Sequence, residues 1–321
     1  MKAVVHSEYG SPEVLRVEEV PTPSPGDHEV LIDIQAASVN DWDLGNLEGW
    51  FVNRLLIGLR KPRLRALGCD VAGTVAAVGK SVTRFAEGDE VYGDLSSSGF
   101  GAFAEYVCAP ETALAEKPSS MSFQQAAALP HAAMLALQAL RDVGQLENGQ
   151  RLLLNGAGGG VGTLALQMAR RLDADVTAVD GEEKLERLLE MGARQVIDYR
   201  SQDFTRTGER YDLIVDVKTN RSPFAYARAL NPRGSYVTLG GSIRRLLQIV
   251  VVGRFLSLFG GRRLRVVALE ANKDLDHVND LFEAGELTPV IDRSYQLSEV
   301  KEAFWRFARA EQTGKIVLRI G

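Results

Sequence analysis

The stretch LLLNGAGGGVGTLALQMA, residues 152–169, decides how the rest of the chain is read. A short apolar run ends at Asn155, a glycine cluster follows, and apolar residues then recur at helical spacing. Ala157, Gly159 and Gly162 fit an A-x-G-x-x-G spacing, a relative of the dinucleotide fingerprint. Small residues there let the backbone turn tightly and approach a pyrophosphate. A helix starting near Val161 aims its unpaired N–H groups and positive dipole end at that anion. No Gly-Lys-Ser/Thr follows the glycines, which excludes a Walker-type phosphate loop. A glycine turn that merely packs a helix on a strand is the alternative, and the flanking pattern argues against it.

Outward from the loop, apolar strands alternate with helices. RLLLN (151–155), DVTAVD (175–180), QVIDY (195–199), YDLIVDV (211–217), SYVTLG (235–240) and LRVVALE (264–270) read as strands. Helices are expected over 162–172 and 182–191 and near 222–230. This alternation predicts an α/β fold with a doubly wound parallel sheet covered on both faces. Before about residue 120 the texture is strand-like, with short Val- and Ala-rich runs between glycines, and predicts an irregular β-barrel. Residues 122–143 read as helical, with Ser122 and Gln125 in capping-box spacing. The last fifty residues predict helices over 273–285 and 298–309 and a final strand, KIVLRI, at 315–320.

Composition narrows the function. A net charge of −5 argues against a nucleic-acid binder, which needs a basic footprint. Two cysteines, Cys69 and Cys108, build neither a disulfide framework nor a four-cysteine zinc lobe, and fit a reducing compartment. MKAVVHSEYG lacks the apolar core of a signal peptide, so a cytoplasmic protein is expected. The longest apolar stretch, residues 246–259, is short for a membrane span and contains Arg254. The surrounding segment 243–265 is expected to pack as a helix beside the site rather than to touch a membrane.

Two residues after the loop speak to the cofactor and disagree. Asp180 lies 18 residues past Gly162, where an acid accepts hydrogen bonds from the adenosine ribose and favours NAD. Lys184, four residues on, is placed to meet a 2′-phosphate instead. A helix cap and a solvated charge are the plainer roles for the two. Contacts with the nucleotide are expected from Gly158, Gly159, Gly160 and Val161, and from Leu239 and Gly240 at the end of the 235–240 strand.

The whole chain resembles the medium-chain dehydrogenase/reductase superfamily, specifically its zinc-free quinone oxidoreductase branch. MKAVVHSEYGSPEVLRVEEVPTP is similar to that branch's first hairpin, and ASVNDWDLGNLEG carries its N-x-x-D motif through Asn40 and Asp43. VAGTVAAVGKSVTRFAEGDEVYG, GAFAEYV, NGAGGGVG, VIDYRSQDF and TGKIVLRI follow in the family's order. The resemblance implies a GroES-like catalytic domain over 1–124 and 272–321, and a Rossmann domain over 125–271, with the active site in their cleft. It also implies that Lys184 and Tyr199 grip the 2′-phosphate of NADPH. NADPH is therefore the expected cofactor, with NADH admitted because of Asp180.

In zinc-dependent cousins the three catalytic ligands map onto Asn40, Cys69 and His131. Zinc accepts Cys and His, but neutral Asn is a poor ligand, so no bound metal is expected. Without a Lewis acid, the acceptors left are quinones and α,β-unsaturated carbonyls, small electrophiles that take hydride unaided. The resemblance gives Asn40, Asp43 and His131 as catalytic, with Asn40 bonding the substrate oxygen and His131 or water supplying a proton. Trp50, Phe51 and Cys69 are the expected substrate contacts. Phe51 stands where relatives carry a tyrosine, and Leu135 where they carry a threonine. A homodimer is expected. The rival readings are a zinc alcohol dehydrogenase and an NADPH-binding redox sensor without turnover.

Overall fold

The structure is a computed structural model describing residues 1–63 and 66–321, with the side chains of 52, 56 and 258–260 outside the description. It separates into two compact units. One comprises Met1–Met134, Glu270–Ala284 and Pro289–Gly321; the other comprises Leu135–Leu269 and Gly285–Thr288.

The first unit is built around the ten-residue strand Glu29–Ser38, whose residues alternate between buried and half-buried until its last three, all buried. It pairs antiparallel with Asp70–Val78, Tyr106–Pro110 and Lys315–Arg319, so the chain's last strand returns to its third. The sheet runs Ile291–Gln296, Lys315–Arg319, Glu29–Ser38, Asp70–Val78, Glu90–Asp94, Ala115–Glu116. Register shifts at Leu31/Ile32 and Ile34/Ala36 bend the central strand, as bulges do where a sheet curls into a barrel. Register also sets what meets at one end: Ser38 faces Asp70, Asp70 faces Asp94, and Val317 faces Ser38. The core beneath is Ile32, Ile34, Val71, Val91, Phe103 and Phe304, the two rings meeting edge to face at 5.9 Å.

Two short helices, Asp41–Glu48 and Phe51–Ile57, interrupt the region whose texture reads as strand. The reason is local. Asp43 stands three residues after Asn40, and its Oδ2 accepts the Asn40 N–H at 2.9 Å, satisfying a donor at the helix start. Ser122 and Gln125 do form the expected capping box. The helix there is divided, however, into Phe123–Ala127 and Pro130–Leu137, because Pro130 has no N–H with which to continue a turn.

The second unit is a six-stranded parallel sheet in the order Gln195–Asp198, Asp175–Asp180, Arg151–Asn155, Tyr211–Asp216, Leu230–Thr238, Arg263–Val266. The strands fall where the apolar runs predict them, within a few residues. Their interiors are buried almost throughout, as a sheet covered on both faces requires. Tyr226 stacks on Tyr236 at 4.0 Å, and the Tyr236 hydroxyl donates to buried Asp216 at 2.7 Å, which keeps polar tips satisfied inside this core. Among the described residues no helix is long and apolar enough to cross a membrane.

Candidate active site

The barrel register gathers one buried polar network. Asp70 is its hub and is fully buried. Its Oδ2 accepts from Ser38 Oγ at 2.7 Å, Asn40 Nδ2 at 2.9 Å and Lys315 Nζ at 3.0 Å. Its Oδ1 accepts the backbone N–H of His131 at 2.9 Å, where a carboxylate suits the start of the Pro130–Leu137 helix. Lys315 Nζ also donates to Asn40 Oδ1 at 2.6 Å. An acid and a lysine are thus taken out of water together, which is tolerable only because they are paired and bonded.

Asn40, Asp43, Cys69 and His131, all expected at the site, are brought together here. Asn40 is spent inside the network: Nδ2 also reaches Cys69 Sγ at 3.2 Å and Ser38 O at 3.3 Å. Its amide therefore orients its neighbours rather than standing open. Asp43 accepts from the N–H groups of Asn40 and Gly68, each at 2.9 Å. Burial nonetheless lifts its carboxyl to about 7, against those two bonds. Cys69 lies beneath Asn40 with no exposed surface, and its thiol is pushed well up by burial and then by Asp43, Asp94 and Asp70. A thiol so placed is a packed neutral group rather than a nucleophile.

Trp50 and Phe51 sit apart in character. Trp50 packs on the barrel core and donates to Glu48 at 2.7 Å, whereas Phe51 is 67% exposed.

Asp94 and Lys315 are the residues that sequence reasoning missed. Asp94 Oδ2 lies 2.8 Å from His131 Nδ1. Burial opposes charge on both groups. It is outweighed at Asp94 by His131 and the Ser96 bonds, which hold the carboxyl low, and at His131 by Asp94 and then Asp70, which hold the imidazole above its usual 6.5. An ionised Asp94 makes Nδ1 a donor, so Nε2 carries the titrating proton. Nε2 has no hydrogen-bond partner among the described residues.

Cys69, Asp94 and His131 present ligand-type atoms within 4.8 Å of one another. A zinc ion does not fit them as they stand. Two ligands at 2.0–2.1 Å from a tetrahedral zinc lie roughly 3.3 Å apart. The Nδ1–Oδ2 separation of 2.8 Å is that of a hydrogen bond. The thiol is held neutral, and the Lys315 ammonium stands in the same network.

In the second unit the glycine loop joins Arg151–Asn155 to the helix Gly160–Arg170. Gly156 turns the chain at φ +84°, in the left-handed region. A Cβ on Gly162 would collide with the Gly156 carbonyl and the Ala157 backbone, so only glycine lets the helix sit against the loop. Gly159 caps the helix without a side-chain bond, leaving Gly160 and Val161 to offer N–H groups to an anion. These features fit a dinucleotide pyrophosphate.

Asp180 is less open than its position suggests. Its Oδ2 accepts from Gly158 N–H at 2.8 Å, its Oδ1 accepts from Gly181 N–H at 2.9 Å, and Lys184 Nζ stands 3.4 Å from Oδ1. The acid braces the loop. Lys184 is buried beside it. Tyr199 is 47% exposed, and the Arg200 guanidinium lies 5.2 Å from its ring while pairing with Glu183 at 2.7 Å. Leu239 and Gly240 follow the Leu230–Thr238 strand. The Gly240 carbonyl is held by Thr219 N–H at 2.9 Å and Thr238 Oγ1 at 2.9 Å, and Gly241 lines a cavity of about 410 Å³ with Lys218, Thr219, Asn220, Ser242 and Arg245. That cavity lies beyond the carboxyl ends of the strands, where open α/β sheets bind ligands.

Known proteins share both units. Residues 26–119 match the family described as alcohol dehydrogenase GroES-like domain, and residues 191–318 the family described as zinc-binding dehydrogenase. A 2-methylene-furan-3-one reductase of Solanum lycopersicum is 32% identical over 329 residues, 99% of this chain and 79% of that one. The chloroplastic quinone-oxidoreductase QR1 of Triphysaria versicolor is 31% identical over 330 residues, 99% and 98% of the two chains. The solved quinone oxidoreductase of Coxiella burnetii matches with a TM-score of 0.90 at 28% identity, covering 100% of this chain and 99% of that one. The chain belongs to the medium-chain dehydrogenase/reductase superfamily, within its quinone oxidoreductase-like branch.

Proposed function

We propose that the protein is a nicotinamide-dependent reductase that passes hydride to a quinone or an α,β-unsaturated carbonyl without a metal. Relatives named for quinone and enone reduction support the reaction class. The observation that carries the mechanism is the Asp94–His131 pair with His131 Nε2 unpartnered. In this reading the barrel unit is the catalytic domain and the glycine-loop unit the nucleotide-binding domain; the expected division into 1–124 with 272–321 and 125–271 differs in placing residues 125–134, His131 among them, with the second.

Bound, the dinucleotide supplies the hydride. Gly160 and Val161 would hold the pyrophosphate by backbone N–H groups and the helix dipole, while Gly158 and Gly159, whose N–H groups bond Asp180 and the Gly156 carbonyl, let the backbone come close to it. Asp180 braces Gly158, and Leu239 and Gly240 border the nicotinamide end. His131, kept cationic by Asp94, donates from Nε2 to the oxyanion that forms on the acceptor. Asn40 and Asp43 hold the His131-bearing network in place, and Cys69 is its floor. Trp50 and Phe51 supply an aromatic wall for a flat acceptor. The protein is read as cytoplasmic and homodimeric.

NADPH is preferred because Lys184, Tyr199 and Arg200 cluster cationic and phenolic groups past the second strand while Asp180 is engaged with the loop. Replacing Arg200 by Ala should raise KM for NADPH about tenfold, one charge-assisted contact, and leave KM for NADH unchanged.

The test follows NADPH and NADH oxidation in parallel against o-quinones, p-quinones and alkenals, with metal analysis of the same sample. Turnover that survives a chelator is expected. Loss of turnover with stoichiometric zinc would install the alcohol dehydrogenase reading, and tight NADPH binding with no oxidation across the panel would install the redox sensor.

A further inference from the structure

The helix Ile243–Gly260 belongs to no part of the chemistry above, and it is unlike the rest of the surface. One face is anchored. Ile249 is fully buried in the core of the second unit, Leu256 packs against that core, and Gly253 lets the helix press on Leu264, where a Cβ would come within 2.9 Å of the Leu264 Cβ and carbonyl. The opposite face carries Leu247, Val250, Val251 and Phe255, between 57% and 60% exposed. Spacings of three, four and eight residues put these four side chains on one stripe. Among the described residues, only one of its two faces is seated on the protein.

Charge says what would cover the stripe. From Ile243 to Leu269 the chain has six arginines and no acid, in a protein of net charge −5. None of the six is paired with a carboxylate among the described residues. Arg245, Arg262, Arg263 and Arg265 donate to neutral acceptors: Gln248, the Leu230 carbonyl, Gln145 and the Val143 carbonyl. Exposed Arg244 and Arg254 stand near the two ends of the apolar stripe, and long side chains of this type can cover apolar surface with their stems while keeping the charged head in water. A second copy of the chain laid on this face would meet the same arginines, like charge on like charge. An acidic bilayer meets both halves of the pattern: apolar side chains enter the acyl boundary, and the guanidinium groups find lipid phosphates.

We propose that the outer face of the Ile243–Gly260 helix docks the protein, without crossing, on an anionic lipid surface. This requires nothing of the catalytic reading.

The full-length protein is sedimented with phosphatidylcholine vesicles, with and without phosphatidylglycerol, at low and high salt. Association only with the anionic vesicles, released by salt, is expected. Arg244→Gln with Arg254→Gln should weaken partitioning about thirtyfold, and Leu247→Ser with Phe255→Ser at least tenfold. All four positions are exposed, so an unchanged thermal midpoint confirms that the variants fold. Equal binding to both vesicle types, no binding, or variants that bind like the parent would overturn the proposal. So would a concentration-dependent dimer in sedimentation velocity that Leu247→Ser with Phe255→Ser dissociates, which would assign the face to self-association.

Discussion

Asp94 governs how His131 is held, and its effect should show in the pH profile rather than in rate alone. A proton donor must be charged to act, so activity falls as pH rises through the His131 pKa. Removing the Asp94 charge lowers that pKa. Asp94→Asn should therefore move the alkaline limb of kcat to lower pH while leaving KM for the cofactor unchanged. His131→Gln should reduce kcat about a hundredfold and flatten the limb. A profile that does not move in Asp94→Asn would give the proton to water. Asp43 supplies a stability test. The folded chain keeps its carboxyl protonated to about 7, whereas an unfolded Asp releases its proton near 4. The folded state thus binds the extra proton across that window, and stability falls as pH rises through it. His131, also raised, contributes most below about 6.5 and loses that contribution with rising pH; Asp94, lowered, loses its contribution as pH falls below about 4. Thermal midpoints should peak near pH 4 and decline above it, and Asp43→Asn should flatten that decline between about pH 4 and 7. Cys69, Asn40, Asp43 and His131 could be picked from motifs. Asp94 could not, because what selects it is its register opposite Asp70, and pairing between distant strands leaves no mark in a local window.

At the level of elements, the glycine loop is where local sequence and three-dimensional structure agree most closely. Backbone sterics impose the requirement there, and sterics are written in residue size. Gly162→Ala should abolish dinucleotide binding, measured by quenching of intrinsic fluorescence, while the apo protein retains its helical circular dichroism. The six parallel strands were legible for a similar reason: burial on both faces forces continuous apolar runs. The two helices after Asn40 were not, because they are short, weakly patterned and begun by a cap rather than by periodicity. Asp180 shows the reverse case. Its position points to a ligand contact, and its carboxylate also bonds the Gly158 and Gly181 N–H groups, a bracing role that no local sequence pattern marks.

For the molecule as a whole, the barrel unit is closed by its ends. Lys315 bonds Asp70 across 245 residues of sequence and lies 4% exposed. Lys315→Met strands a buried carboxylate and should cost about 3–5 kcal/mol in denaturant unfolding, whereas the double change with Asp70→Asn should recover part of the loss. An additive result in that cycle would mean that the pair contributes nothing as a pair. The same bond has a consequence for synthesis. A ribosome releases the residues up to Asp94 long before it reaches Lys315, so Asp70 emerges with its lysine still untranslated. Any chain terminated short of residue 315 carries an unneutralised acid at the centre of its barrel, and quality control should clear it even though every other site residue has been made.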